Sequence, residues 1–350
     1  MNLTNETVIT DILLQDVFIA GVVTCLASVT LASFNFIIIL VICSFEDLRE
    51  QVTYVLVLML AINDVMACIT MNLFRGTEII LLGPPKSMKL SDILFYDPYC
   101  QWAAAFGWSL VFASSFGQGF IALNRLIAVY LPVAYRKIYT VKNAVILWIT
   151  VVWVPSFVIN LGLAGSRIFG SYGYLPSFGI CCIDGRKAAW KLFVDALFIY
   201  VPCVFMTLAY VAIYLRIRFA SSTASKAEIR KRAHGSKMMF FCFIGFVICT
   251  VPAPAYTSWA TSSGGLHITN HGLLMYYVMV LYACNYGTNL VFYLLFNATF
   301  SSKTKKMFHR VGIIKNNQLH SGAWTETGIA MSSVHPVYRS RTLIEINVTV

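Results

Sequence analysis

Asp64 is an acid within an apolar stretch, in the segment Leu60-Ala61-Ile62-Asn63-Asp64. A carboxylate removed from water needs hydrogen-bond donors or a cation, because an unpaired buried charge is costly. Ser114, Asn285 and Asn289 lie at comparable depths in other apolar stretches. These side chains could surround Asp64 as a satisfied polar shell, or they could form with it a site for a hard cation such as sodium. Residue spacing alone favours neither interpretation.

Arg125 and Asp195 are the other charged residues that need explanation. Arg125 follows Asn124 at the end of an apolar stretch, where a single arginine usually extends to the membrane surface. Asp195 lies near the start of another stretch and could either bind a donor on a ligand or cap a helix end in water. Both are functional candidates, because ionisable groups inside a membrane are rare and costly.

The composition indicates that these residues are positioned by membrane-spanning helices. Of the 350 residues, 58% are apolar and 12% are charged, whereas roughly a quarter of the residues of a soluble domain are charged. The apolar stretches are long and continuous, which excludes a β-barrel and leaves helices as the spanning structure. We therefore predict an all-α membrane protein in which each span needs about 20 apolar residues.

The charged residues divide the chain into seven predicted spans. The first five are Val17–Phe45, Val52–Phe74, Pro98–Asn124, Asn143–Ser166 and Leu192–Leu215. The block from Met238 to Ser302 contains no Lys, Arg, Asp or Glu and is too long for one span. The polar stretch from Thr261 to His271 divides it into the sixth and seventh spans.

Four prolines, Pro155, Pro202, Pro252 and Pro254, lie inside these spans. Each removes a helical hydrogen bond and permits a kink, although membrane helices often tolerate proline. Two prolines within one turn, at Pro252 and Pro254, predict a hinge in the sixth helix.

The basic residues predict the orientation of the chain in the membrane. With the N-terminus outside, 19 of the 26 Lys and Arg residues are cytoplasmic and 7 are extracellular, as the positive-inside rule requires. The sequons at Asn2 and Asn5 agree with glycosylation outside the cell. The net charge of +11 fits attraction to the anionic inner leaflet of the bilayer and requires no nucleic acid. We predict an extracellular segment 1–15, a membrane domain 16–310 and a disordered cytoplasmic tail 311–350.

The cysteines do not indicate a disulfide-rich protein or a zinc site. Seven of the ten lie inside apolar stretches, where a thiol behaves as a small apolar group. Cys100, Cys181 and Cys182 lie near predicted extracellular ends, so at most one or two disulfide bonds are expected.

The chain resembles the rhodopsin-like (class A) G-protein-coupled receptors over about residues 15 to 310. The residues that carry the resemblance are Asn35 in the first span, Asp64 in the second, Asn124-Arg125-Leu126 in the third, Trp148 in the fourth, Pro202 and Tyr210 in the fifth, Phe246-x-x-Cys249-Thr250-x-Pro252 in the sixth, Asn289-x-x-x-Tyr293 in the seventh and Phe300 beyond it. Eight motifs in the family's order and spacing make the resemblance specific. Asn124-Arg125, Tyr135-Arg136-Lys137-Ile138-Tyr139 and the missing proline at Leu290 are similar to the melatonin-receptor branch, whereas the long segment Leu81–Tyr99 is not.

The resemblance implies a seven-helix bundle with an amphipathic eighth helix in the plasma membrane. It implies that an extracellular ligand binds among the helices and that a heterotrimeric G protein binds at the cytoplasmic end. Asp64, Ser114, Asn285 and Asn289 would form a sodium pocket. Cys100 would form a disulfide bond with Cys181, which we prefer because Cys181-x-Ile183 matches a family pattern, or with Cys182. Arg125, Tyr210 and Tyr293 would form the activation switch.

Departures from the family pattern occur at the residues that would move. Thr250 replaces the sixth-helix tryptophan, so ligand sensing would fall to another residue such as Phe246, and Pro252 remains as the hinge. Asn124 replaces the acid beside Arg125, and Arg232 stands near the position of a second acid. We therefore expect appreciable signalling without ligand.

The resemblance to the receptor family also limits the chemical class of the ligand. Gly107 stands where amine receptors carry an aspartate, which disfavours a biogenic amine, and the sixth and seventh spans have no lysine for retinal. The candidate contacts are Phe106, Gly107, Phe112, Ile183, Asp195, Tyr200, Tyr256 and Tyr277. An aromatic pocket with few polar groups suits a small, weakly charged molecule or a short peptide. The C-terminal Val348-Thr349-Val350 could add a strand to a PDZ domain.

Three other classes of protein compete with the receptor as interpretations of the sequence. A transporter or channel is disfavoured because the sequence shows no internal repeat and no series of acids through the membrane. An intramembrane enzyme is disfavoured because no paired aspartates, His-Glu-x-x-His or Gly-x-Ser-x-Gly element is present. A receptor-fold protein that does not signal itself, and instead partners other receptors, is the main alternative.

Overall fold

A computed structural model describes residues 3–73, 99–165, 172–175, 180–183, 188–219, 236–256 and 268–312. Residues Met1 to Met307 form one compact unit, and Phe308 to Val350 form a second. The predicted tail lies almost entirely outside the described residues.

Seven apolar helical segments are long enough, or nearly long enough, to cross a membrane. Six candidate spans are Gly21–Ser44, Val52–Thr70, Ala104–Tyr130, Val141–Gly162, Leu192–Arg218 and Met239–Tyr256, and the seventh, shorter segment is Val280–Phe296. Their mean hydropathy reaches 2.4 in the first span and is lowest, at 1.3, in the third. The third span carries more polar residues because it is the most buried of the six. The predicted seven-helix architecture is therefore confirmed.

The helices extend beyond these spans. The α-helices are α1 (Leu3–Ser44), α2 (Glu46–Arg49), α3 (Val52–Ala67), α4 (Tyr99–Tyr130), α5 (Pro132–Ile138), α6 (Val141–Trp148), α7 (Val154–Gly165), α8 (Ala188–Asp195), α9 (Val201–Arg218), α10 (Ser236–Thr250), α11 (Ile268–Phe296) and α12 (Ala298–Arg310). The third-span helix α4 continues past the predicted end at Asn124, so Arg125 lies inside a continuous helix. The seventh-span helix α11 begins before His271, which the sequence had assigned to the preceding polar stretch.

Wider π-helical turns interrupt three of the spans. They cover Cys68–Leu73, Ile149–Trp153 and Ala196–Tyr200. The second and third of these immediately precede Pro155 and Pro202. A proline ring clashes with the carbonyl four residues earlier, and an opened turn relieves this clash. The sequence predicted that each proline permits a kink, and at these two prolines the structure shows a local widening of the helix.

The sixth helix is interrupted at the predicted hinge. Helix α10 ends at Thr250, Val251 forms a turn, and helical geometry resumes at Pro252. The Val251 amide still donates to the Val247 carbonyl at 3.1 Å. The break therefore occurs where Pro252 and Pro254 can no longer donate backbone hydrogen bonds.

One antiparallel hairpin lies between the fourth and fifth spans. Strands β1 (Tyr172–Leu175) and β2 (Ile180–Ile183) pair, with Tyr174 opposite Cys181 and Gly173 opposite Cys182. Both strands contact helix α4. The sequence analysis did not predict this hairpin, because it is too short to show an alternating pattern.

Helices α4 and α6 approach closely at Gly117. A Cβ atom there would lie 2.5 Å from the ring of Trp148, whose side chain is fully buried. Glycine is therefore required at this position by the tryptophan that packs against it. The contact fixes the third span, which carries Ser114, Asn124 and Arg125, against the fourth.

The eighth helix, α12, lies directly after the seventh span. Asn297 accepts from the Phe300 amide at 3.0 Å and so caps the helix, and its Nδ2 donates to the Tyr54 hydroxyl at 3.0 Å. Lys303 forms an exposed ion pair with Asp47 at 2.8 Å. These contacts attach α12 to the short helix α2 and to the start of the second span. Phe300, Thr304 and Met307 form its buried face, as an amphipathic helix requires.

Candidate functional site

Asp64 is almost completely buried, with a relative exposure of 1%, and lies between the second, third and seventh spans. The Ser114 hydroxyl donates to its Oδ1 at 2.6 Å. The Asn289 Nδ2 donates to its Oδ2 at 3.3 Å. Both carboxylate oxygens therefore have a donor, which is the minimum that a buried carboxylate needs. The structure thus brings together three of the four residues proposed for the pocket.

Gln118 extends this network along the third span. Its Nε2 donates to the Asn289 Oδ1 at 3.4 Å, and its side chain is 6% exposed. Gln118 lies one helical turn from Ser114, so both residues project from the same face of α4. The sequence analysis missed Gln118. Its position four residues after Ser114, in an otherwise apolar stretch, was the signal that could have identified it.

Asn285, the fourth proposed residue, lies one turn before Asn289 on the same helix and is buried. Its Oδ1 accepts no hydrogen bond from the residues that the structure describes. A hard cation prefers oxygen ligands such as a carboxylate, a hydroxyl oxygen and an amide oxygen that accepts no hydrogen bond. The oxygen atoms of Asp64, Ser114 and Asn285 are therefore of the kind that sodium prefers. Asn289, by contrast, turns an N–H group toward the carboxylate.

Two other buried asparagines join helices near this pocket. The Asn35 Nδ2 donates to the Tyr286 carbonyl at 2.6 Å and joins the first span to the seventh. The Asn63 Nδ2 donates to the Leu110 carbonyl at 2.9 Å and joins the second span to the third. Each of these bonds links segments that are distant in the sequence. They position Asp64 against α4 and α11.

The environment of Arg125 is different. Its guanidinium group lies within electrostatic reach of the phenol groups of Tyr54, Tyr135, Tyr210 and Tyr293. Its Nε has no hydrogen-bond partner, and no carboxylate is paired with it among the described residues. Tyr210 packs on Phe240 and Phe243, and Tyr293 packs on Phe300. The three residues proposed for the activation switch therefore lie together in a largely aromatic cluster.

Asn124 is fully buried, yet neither atom of its side-chain amide has a hydrogen-bond partner in the described part of the chain. A buried amide in this condition costs about 1–3 kcal/mol for each unmet group. Among the described residues, Asn124 therefore makes no side-chain hydrogen bond that would hold this end of α4. Arg232 lies outside the described residues.

The sixth helix contributes buried side chains beside the seventh. Phe246 and Thr250 are buried, and the Thr250 hydroxyl has no partner within the described regions. Gly245 allows α10 to approach Phe292, since a Cβ there would lie 2.7 Å from the phenylalanine ring. Pro252 is half-buried, two residues beyond Thr250. Thr250 therefore occupies its position without a bond that could transmit a ligand contact.

The opposite half of the bundle from Arg125 contains an aromatic cluster around Asp195. Phe112 of the third span stacks on Phe198 of the fifth at 4.2 Å between ring centroids. Asp195 is 5% exposed and lies within electrostatic reach of Tyr200 and Tyr282. Tyr282 belongs to the seventh span, so Asp195 faces the interior between helices. The sequence analysis missed Tyr282.

The other proposed ligand contacts are dispersed or outside the side chains described. Phe106 is 39% exposed and contacts Phe157 of the fourth span at 5.5 Å, edge to face. Gly107 is buried and Tyr256 is half-buried. For Asn5, Cys100, Cys181, Cys182, Ile183 and Tyr277 only the backbone is described, and Asn2 lies outside the described residues. The disulfide bond, the glycosylation sites and the choice between Cys181 and Cys182 stay predictions.

Comparison with known proteins gives one family and several relatives. The family model of the 7 transmembrane receptor (rhodopsin family) matches residues 34–293. The chain is 24% identical to neuropeptide receptor 15 of Caenorhabditis elegans over 311 residues, which cover 81% of this chain and 87% of the relative. It is 30% identical to D(2) dopamine receptor B of Xenopus laevis over 33% of this chain. It is 35% identical to D(2) dopamine receptor A of the same species over 28% of this chain. These two matches span only 30% and 20% of the dopamine receptors' own lengths.

Proposed function

Because this chain belongs to the rhodopsin family of seven-transmembrane receptors, we propose that it binds an extracellular ligand and activates a heterotrimeric G protein. It is a multi-pass membrane protein and a receptor, not an enzyme. The proposed orientation places the N-terminus outside the cell and the Arg125 cluster at the cytoplasmic face. The distribution of basic residues supports this orientation. The plasma membrane is the proposed location.

The receptor is proposed to signal without ligand. The observation that carries this proposal is the environment of Arg125, which has no ion pair within the described residues and is surrounded by phenol groups. An ion pair at this position would stabilise one arrangement of the helix ends. Without that restraint, the energy difference between the inactive and active arrangements is smaller, and the active population without ligand is larger.

A short peptide is the proposed ligand class. The relative whose match covers most of both chains is named a neuropeptide receptor. Gly107 offers no charge to an amine, whereas Asp195, three residues before Phe198 on the fifth span, provides a buried carboxylate. A small, weakly charged molecule is the other outcome that a ligand screen would distinguish. Asp195 is proposed to receive a donor group of the ligand.

Sodium is proposed to bind at Asp64 and to stabilise the inactive arrangement. Asp64, Ser114 and Asn285 would supply oxygen ligands, and the ion would neutralise a buried carboxylate. Without an ion, Asp64 holds the second, third and seventh spans together through its hydrogen bonds with Ser114 and Asn289. Rearrangement of the seventh span would require these bonds to change.

The test is to measure second-messenger levels in transfected cells without ligand, at verified surface expression. We expect levels above mock-transfected controls, and we expect Arg125→Ala to return them to the control level. Peptide and monoamine panels applied to the same cells identify the ligand class. Basal levels equal to those of mock controls would contradict the proposed ligand-free signalling.

A receptor-fold partner without its own signalling is the second candidate. It is favoured by two buried polar side chains at switch positions, Asn124 and Thr250, that have no hydrogen-bond partner within the described residues. In the same experiment this candidate predicts no response to Arg125→Ala. It also predicts altered signalling of a co-expressed receptor. A PDZ-domain partner at the C-terminus is a further proposal, tested by deletion of Val348–Val350.

A further inference from the structure

The Asn289 side-chain amide is held between two partners that require opposite atoms. Its Nδ2 donates to the Asp64 Oδ2 at 3.3 Å, and its Oδ1 accepts from the Gln118 Nε2 at 3.4 Å. The bond from Gln118 therefore selects the amide atom that faces the carboxylate. A cation at Asp64 requires the other choice, because a positive ion is attracted to the amide oxygen and repelled by its N–H groups.

We propose that Gln118 is a positioning residue that weakens sodium binding at Asp64 by holding the Asn289 amide with its N–H groups toward the carboxylate. The inference rests on the sodium site proposed above and adds the residue that sets its affinity. In this receptor the donors of Ser114 and Asn289 then serve Asp64 in place of the ion. Sodium competes with an internal arrangement that already satisfies both carboxylate oxygens.

Burial gives the Gln118 bond its influence. Gln118, Asn289 and Asp64 are 6%, 3% and 1% exposed, so water has little access to replace a lost partner. If Asn289 turned its oxygen toward a cation, its Oδ1 would leave the Gln118 donor. Gln118 would then lose its bond or turn as well.

The charges of Asp64 on the second span and Arg125 on the third oppose that second rotation. Ser114, Gln118 and Arg125 are four and seven residues apart, so they lie along one face of α4. Asp64 contacts this face at Ser114, and the positive guanidinium group lies about two turns beyond Gln118. The Gln118 NH2 group, the positive end of the amide dipole, is directed toward Asn289 and the negative Asp64. The dipole is therefore aligned with the electric field between Asp64 and Arg125. Reversal of both amides would therefore cost electrostatic energy even if their mutual hydrogen bond were kept.

The distances bound the size of the effect. The Gln118 and Asn289 contacts are longer than the 2.6 Å contact of Ser114, and longer bonds are weaker. We therefore expect Gln118 to change sodium affinity by about fivefold, which corresponds to a net hydrogen bond of about 1 kcal/mol.

The experiment measures sodium-dependent thermal unfolding of the purified full-length receptor, with sodium chloride replaced by choline chloride at constant ionic strength. Gln118→Met removes the amide and keeps the length of the side chain. The sodium concentration at half-maximal stabilisation should fall about fivefold below that of the wild type. Asp64→Asn should abolish the sodium response.

Ser115→Ala is the matched control. Ser115 is the buried neighbour of Ser114 on the same helix, and its hydroxyl has no partner in the described part of the chain. Its substitution should leave the sodium midpoint unchanged. In an Asn289→Asp background, residue 289 presents oxygen in every orientation, so Gln118→Met should produce no further gain.

Two results would overturn the proposal: an unchanged or higher sodium midpoint in Gln118→Met, or a gain that persists in the Asn289→Asp background. If Gln118→Met does not fold, Gln118→Leu provides the same comparison with a branched apolar side chain of comparable helix propensity. Absence of any sodium response in the wild type would remove the sodium site itself. Receptor signalling is measured separately in cells, so failure of G-protein activation is distinguished from failure of this inference.

Discussion

The third span has two polar regions that differ in how completely they are bonded. At the first, Ser114 and Gln118 join Asp64 and Asn289 in a network in which both carboxylate oxygens accept a bond. At the second, Asn124 and the Nε of Arg125 have no hydrogen-bond partner within the described residues. Both regions lie on the same helix, α4, where Ser114, Gln118 and Asn124 are buried and Arg125 is half-buried. The two regions therefore differ mainly in their hydrogen-bond partners.

The difference indicates which part of the helix is fixed and which is free to change partners. A satisfied buried network is costly to disrupt, because each broken bond leaves an unmet group in a medium without water. A cluster that already lacks partners loses little when it rearranges and gains when a new partner arrives. We infer that the Asp64 region anchors the third span and that the Arg125 region is available to a G protein.

The largest expected effect is at the packing of the anchored region. Gly117→Ala places a Cβ atom 2.5 Å from the Trp148 ring, and neither the buried ring nor the helix backbone can move easily. The substitution should destabilise the receptor by about 3 kcal/mol, which is the upper range for overpacking. Thermal unfolding of the purified receptor measures this loss.

Gly119→Ala is the control for Gly117→Ala. Its Cβ would lie 3.9 Å from that of Pro202, which is an ordinary contact, so stability should be unchanged or slightly increased. Equal losses in the two variants would indicate a general helix effect. They would remove the argument that Trp148 fixes the third span.

A smaller loss is expected when the network loses one donor. Ser114→Ala leaves the Asp64 Oδ1 without its 2.6 Å hydrogen bond. Bonds to charged groups contribute about 1.5–3 kcal/mol, so we expect a loss of about 2 kcal/mol in sodium-free buffer. Ser115→Ala should change stability by less than about 0.5 kcal/mol, because its hydroxyl has no partner in the described regions. The comparison between the two regions fails if the two serine variants behave alike.

The smallest effect is expected at the unpaired region. Asn124→Asp restores an acid beside Arg125. Residue 124 is buried and Arg125 is half-buried, and we expect their ion pair to contribute about 1 kcal/mol. Ligand-free signalling should therefore fall about fivefold at equal surface expression, measured as basal second-messenger level. Asn124→Ala removes an amide that has no described partner, so it should leave signalling near the wild-type level. Unchanged signalling in Asn124→Asp would show that an ion pair does not limit activation here.

Much of the fold could be predicted from the sequence, because the hydrocarbon core imposes a simple rule. A helix that crosses it must be apolar over its length, so the spans are visible as uncharged stretches. Their ends were less predictable. Helix α4 continues through Asn124 and Arg125 to Tyr130, and the guanidinium group of Arg125 lies near phenol groups that composition does not reveal.

The candidate site was only partly predictable for a related reason. Asp64, Ser114 and Asn289 could be grouped because each is polar in an apolar stretch, and the structure brings these three together. Gln118 was missed although it follows Ser114 by one helical turn, because the helical pattern does not show that its side chain reaches Asn289 on the seventh span. Phe106 was grouped with the ligand contacts as an aromatic residue, whereas its exposed side chain packs on Phe157. A helical pattern gives the residue type but not the direction of each side chain.

The sequence by itself determined that this protein is a bundle of seven membrane helices with a few ionisable groups inside it. It also determined that the acid beside Arg125 is absent. Only the tertiary structure decided which polar groups have partners, because those hydrogen bonds join residues on different helices. The bond from Asn35 to the Tyr286 carbonyl, 251 residues apart, and the bond from Gln118 to Asn289 arise from helix packing alone.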